Sequence, residues 1–108
     1  MAKYLLIESR DPFESNDASN FYRLAATLAS KRHEVSFFLV QNGVLPARAQ
    51  AESAVLDELR AAGVEILADD FSLRERGIRV ERLAPSITPT DLDAVIDRLA
   101  AGATTLWD

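Results

Sequence analysis

The densest run of chemically capable side chains is residues 68–78, Ala-Asp-Asp-Phe-Ser-Leu-Arg-Glu-Arg-Gly-Ile. Paired acids such as Asp69 and Asp70 can bind Mg²⁺ or act as acid and base. Asp70, however, stands just ahead of a short predicted helix, where Asp is a preferred cap. Capping is favoured over a polar ligand contact, and both over metal or acid–base chemistry. Ser72 becomes a nucleophile only beside a base. The single histidine, His33, opens a strand on the opposite rim, so no Ser-His-Asp set is expected and His33 reads as a solvated turn residue. Arg74 and Arg76 can grip an anion bidentately. A solvated helix face, with Glu75 between them, is the favoured alternative.

Asn42, Gly43 and Arg48 can contact a phosphate or carboxylate. One glycine does not make a phosphate-cradling loop, which needs several for close backbone approach, so loop geometry is the simpler account. Trp107 is the only tryptophan; packing on a sheet edge and a subunit contact are weighed equally.

Composition bounds what these residues can do. The 108 residues include no cysteine, which removes disulfides, thiolate catalysis and Cys-based metal sites. A formal charge of −5 argues against nucleic-acid binding through phosphates. Hydrophobic residues make up 48%, as in a globular domain. The first apolar run, Tyr4–Ile7, is far too short for a signal peptide or a membrane span of about twenty residues. A cytoplasmic protein with no membrane association is expected.

The elements that must position the candidates follow from periodicity. Tyr4–Ile7 reads as a strand buried on both faces, Val35–Val40 as a strand by its β-branched and aromatic content, and Val64–Leu67 as the third strand. Helices are predicted over Asp17–Lys31, capped by Asn16 or Asp17, and over Gln50–Ala62, stopped by Gly63. A short helix is predicted over Asp70–Arg76. Ile78–Leu83 alternates like a half-exposed strand, and Ala84–Ile87 reads as a loop. The last helix starts at Thr88-Pro89-Thr90-Asp91, with Leu92, Val95, Ile96 and Leu99 as its core face, and Ala103–Trp107 is a final strand. Strict β-α alternation implies a mostly parallel sheet with helices on both faces. Ligands then bind beyond the carboxyl ends of the strands, at the loops Glu8–Asn16, Asn42–Arg48 and Asp69 onward.

The chain resembles the DsrE/DsrF-like family of small sulfur-relay proteins. The similarity lies in the opening Lys3-Tyr4-Leu5-Leu6-Ile7, in His33-Glu34-Val35 after the first helix, and in Phe37–Val40 running into Asn42-Gly43-Val44. Gly63-Val64, the Arg76-Gly77-Ile78 turn and the final strand ending in Trp107 complete it. The resemblance implies one DsrE-like domain over residues 1–108: a three-layer α/β/α sandwich with a five-stranded, mainly parallel sheet. It also implies a homotrimer or homohexamer and a sulfur-relay protein as partner. In active relay members a persulfide-carrying cysteine follows the third strand. Its place falls at about Asp69, and that of a second cysteine near Ser72.

A carboxylate cannot carry sulfane sulfur, and a serine hydroxyl does not replace a thiolate. The chain alone is therefore no sulfur carrier. The expectation is a non-catalytic, homo-oligomeric binding or assembly subunit linked to sulfur metabolism, without metal or cofactor. Its candidate ligand contacts are Ser9, Asn42, Gly43, Arg48, Asp69, Asp70, Ser72 and Arg76. Two alternatives stand beside it: a small-ligand enzyme using Asp69 or Asp70, and a structural subunit in a hetero-oligomer with cysteine-bearing relatives.

Overall fold

The computed structural model describes residues 1–48 and 54–108. Five parallel strands form one sheet: β1 (Lys3–Glu8), β2 (Glu34–Leu39), β3 (Glu65–Asp69), β4 (Ile87–Thr90) and β5 (Thr104–Trp107), in the order β4-β3-β2-β1-β5. The helices are α1 (Asn16–Ser30), α2 (Ala54–Ala61), α3 (Asp70–Glu75) and α4 (Asp93–Ala100). Two 3₁₀ segments, Gln41–Ala47 and Val80–Arg82, complete the chain. The expected α/β/α layering with a five-stranded sheet is present, and every strand pair is parallel.

The two faces are covered unequally. Leu6, Phe37, Ile66 and Ala68 point to one side, where α1, α2 and α3 bury them beneath Tyr22, Ala25, Leu56, Leu59 and Leu73. Leu5, Ile7, Phe38 and Leu67 point to the other, where Ala94 and Val95 of α4 cover them. This alternation is the period of two that a strand imposes. α4 does not lay down the face expected of it. Leu92, Ile96 and Leu99 are exposed, and the small Ala94 is its one buried residue.

Several boundaries differ from expectation. Ser15, not Asn16 or Asp17, caps α1, its side chain accepting from the Ala18 N–H. The buried stripe of α1 runs through Ala18, Tyr22 and Ala25, flanked by the half-buried Phe21, Leu28 and Ala29; the Tyr22 ring packs 4.6 Å from that of Phe37. Of the second predicted helix, Gln50–Ser53 lies outside the described residues. Ile78–Leu83 is no strand; it holds the short 3₁₀ turn, with a single antiparallel bridge from Leu83 to Arg48. The fourth strand is Ile87–Thr90, where a loop and a helix start were expected. Pro89 fits there because β4 is an edge strand, where a missing N–H is tolerated. α4 begins after Leu92, with Asp91 accepting from the Asp93 N–H in place of the Thr88–Asp91 box.

Glu65, Ser36 and Arg98 tie the amino-end rim of the sheet to α4. Burial disfavours the Glu65 carboxylate, but hydrogen bonds from Arg98 and Ser36 prevail and hold it below the usual carboxylate range. His33 lies on this rim too. It is half-buried, not solvated: its Nδ1 accepts from the Ala2 N–H at 3.1 Å and its ring meets Tyr4 edge-on.

At the other rim, Gly43 is packed against β1. A Cβ there would meet the Glu8 carbonyl oxygen at 2.2 Å, and that same oxygen accepts from the Val40 N–H at 3.0 Å. Neither backbone can give way without losing that bond. Gly43→Ala is therefore expected to destabilise the fold by about 1–3 kcal/mol, the range for overpacking, as read from the urea midpoint.

Candidate functional site

The carboxyl ends of β1, β2 and β3 meet at one rim. β3 ends at Asp69, whose side chain caps α3: Asp69 Oδ2 accepts from the Ser72 N–H at 3.0 Å and from the Ser72 hydroxyl at 2.6 Å. Ser72 Oγ in turn accepts from the Gln41 N–H at 2.9 Å. Gln41 sits at φ 53°, a left-handed conformation that a non-glycine residue holds only when its surroundings fix it. One residue on, Asn42 Oδ1 accepts from Arg76 Nε at 3.1 Å, while Arg76 Nη1 donates to the Ser72 carbonyl at 3.3 Å. Asn42, Asp69, Ser72 and Arg76 are thus brought together, and they bind one another.

This corrects the reading of the two acids. Asp69, not Asp70, is the cap. Both Asp69 and Ser72 are buried, and Asp69 Oδ2 is fully engaged by Ser72. The Asp70 side chain turns outward into an exposed pair with Arg74 at 3.8 Å. Among the described residues no three His, Asp or Glu side chains converge as a metal-binding group. Ser9 stands apart, at the β1–β5 end, where its hydroxyl donates to the Asp108 carbonyl at 2.8 Å. Gly43 serves the close approach to β1.

Arg48 faces Arg76 across a cleft of about 330 Å³, lined by Leu45, Arg48, Arg76, Gly77, Ile78, Arg79 and Arg82. Arg79 and Arg82 were missed in the sequence because Ile78–Leu83 was read as a strand. A 3₁₀ turn brings residues three apart to the same side, and that spacing was the available signal.

A second missed feature lies under the rim. Glu8 follows Leu6 by two and so points into the α1 side, where it is fully buried. Its Oε2 accepts from the Arg10 N–H at 3.2 Å. Its Oε1, the Tyr22 hydroxyl and Asp108 Oδ2 are buried without a hydrogen-bond partner. Burial first, and then the Asp108 carboxyl beside it, push the Glu8 carboxyl up to about 9. Burial, with Glu8 and Asp11 nearby, likewise raises the Tyr22 phenol. Glu8 at the end of an apolar strand was the visible sign: an acid continuing a buried run has to be neutral or paired.

The fold defines the class of protein: a small α/β domain with a five-stranded, all-parallel sheet. The DsrE/DsrF-like family profile matches residues 2–107, and the chain belongs to that family. Two crystal or solution structures share its fold. The ychN protein from E. coli superposes with a TM-score of 0.88 at 19% identity, over 100% of both chains. MTH1491 of Methanobacterium thermoautotrophicum, described as a protein of unknown function, superposes with a TM-score of 0.78 at 17% identity, again over 100% of both chains. No curated protein matches. The chain is a family member that contains no cysteine.

Two outcomes test this geometry. Asp69→Ala removes a cap and strands the buried Ser72 hydroxyl, so it is expected to cost about 1–3 kcal/mol. Asp70→Ala, which breaks only an exposed pair, is expected to stay within about 0.5 kcal/mol. Equal losses in urea denaturation would refute the assignment of the cap. The second test concerns pH. Because the folded Glu8 carboxyl lies near 9 and the unfolded one near 4.5, the folded state binds the extra proton between them. Its contribution to stability is whole below the lower value and is lost as pH rises through the upper. Glu65, held low, acts only at the acid end, where its contribution is lost as pH falls. Wild-type stability should therefore fall from neutral to alkaline pH, and Glu8→Gln should flatten that slope in urea titrations.

Proposed function

We propose that the chain is a non-catalytic DsrE-like subunit that acts through assembly, as a homotrimer or homohexamer, with a sulfur-relay protein as its partner. The observation that supports assembly is the exposed apolar strip on the thinly covered side of the sheet. Leu92, Ile96 and Leu99 are 61%, 60% and 50% exposed. Trp107 pairs with Ile7 in register, so it points to this same side, and it is 68% exposed. Exposed large apolar side chains gathered on one side of a sheet mark protein interfaces, and Trp is enriched in them. Acid–base catalysis has less support: Asp69 Oδ2 is taken by Ser72, and Asp70 pairs with Arg74.

Native mass spectrometry at micromolar concentration is expected to give a trimer or hexamer. Ile96→Asp combined with Leu99→Asp should shift it to monomer while circular dichroism stays unchanged, since both side chains already face water. A monomeric wild type would overturn this reading. Co-purification with a cysteine-bearing relative, and no homo-oligomer, would replace it with the hetero-oligomeric subunit.

A further inference from the structure

The 330 Å³ cleft beside the rim carries four guanidinium groups, Arg48, Arg76, Arg79 and Arg82, and no carboxylate among its lining residues. In a chain of net charge −5, this is a local inversion of sign. The cleft is built rather than incidental. Its two walls are joined by the Arg48–Leu83 bridge and by the Ala84 N–H donating to the Ala47 carbonyl at 3.0 Å. Two of the four arginines are already oriented. Arg48 Nε donates to the Leu45 carbonyl at 3.0 Å, and Arg76 is held by Asn42 and the Ser72 carbonyl. Arg76 meets one acid, Glu75, only at 3.9 Å. Arg79 and Arg82 are exposed and, among the described residues, have no ion pair or side-chain hydrogen bond.

We propose that this cleft binds the phosphate group of a small phosphorylated molecule. Arginine forks match phosphate oxygens in pairs, and four positive charges suit a dianion better than a single carboxylate. Two anchored forks supply a preformed half-site, and two free ones close on the ligand. The volume lies at the lower end of ligand-sized pockets, ~300–1,000 Å³, so it exceeds the needs of a bare ion. The organic body has a place to go. A wider depression of about 900 Å³ shares Gly77, Ile78 and Arg79 with the cleft and continues over the apolar Leu73, Val80 and Pro89, with Asp70, Arg74 and Glu81 also lining it. The ligand is therefore a phosphate monoester whose body has an apolar surface. This site is separate from the α4 strip, so it stands or falls independently of subunit assembly.

The test is titration calorimetry with inorganic phosphate and with phenyl phosphate, at a fixed ionic strength of about 0.15 M. Both are expected to bind the wild type, phenyl phosphate more tightly. Arg79→Ala combined with Arg82→Ala should weaken both at least tenfold without altering the circular dichroism spectrum, because both side chains are exposed. Arg48→Ala, on the opposite wall, should weaken both as well. No binding to the wild type at millimolar ligand, or equal binding by wild type and double variant, would overturn the proposal. Equal affinity for the two probes would overturn the organic body and leave the anion site.

Discussion

The Ser72 hydroxyl joins the loops after β2 and β3. It donates to Asp69 and accepts from the Gln41 N–H, so one buried oxygen sets both the start of α3 and the left-handed turn at Gln41. That turn aims the 3₁₀ segment back across the sheet, bringing Gly43 against the Glu8 carbonyl and Arg48 opposite Arg76. A buried hydrogen-bonded pair of this sort rigidifies only when fully satisfied. Here the Ser72 hydroxyl both donates and accepts, and the rim inherits its shape from it. Asp69, the acid at the end of β3, does structural work there.

The interior strands were legible in the sequence. Tyr4–Ile7 is apolar without interruption, and Val35–Val40 and Val64–Leu67 are broken only by Ser36 and Glu65, because both faces of these strands are covered. What failed was the periphery. β4 has four residues, two of them Thr and one Pro, and its place in the sheet comes from pairing with β3 rather than from any preference of its own. Ile78–Leu83 alternates as a strand should, but no neighbouring strand receives it. The helix α4 shows a clear apolar stripe, yet periodicity gives the existence of a stripe and not what covers it; the sheet takes Ala94 and leaves the larger side chains outside.

The candidate site was half legible for a related reason. Topology placed the rim correctly, because it depends only on strand direction. Which side chains face one another across it depends on single-residue phase. A shift of one exchanged Asp69 for Asp70 as the cap, and a 3₁₀ turn in place of a strand put Arg79 and Arg82 on one wall. Charge is correspondingly sorted over a short distance. Acids gather beneath the rim around Tyr22, where low polarity keeps a proton on Glu8, and arginines gather beside it, where solvent supports them.

The outermost strands differ in what they offer a neighbour. β4 is four residues long and contains Pro89, which brings no N–H to any ladder, so it is a poor template for a further strand. β5, at the opposite edge, contains no proline and ends in an outward tryptophan. A sheet with one blunted border and one open border can extend in a single direction only. Strand-to-strand growth past β4 is closed off by its proline.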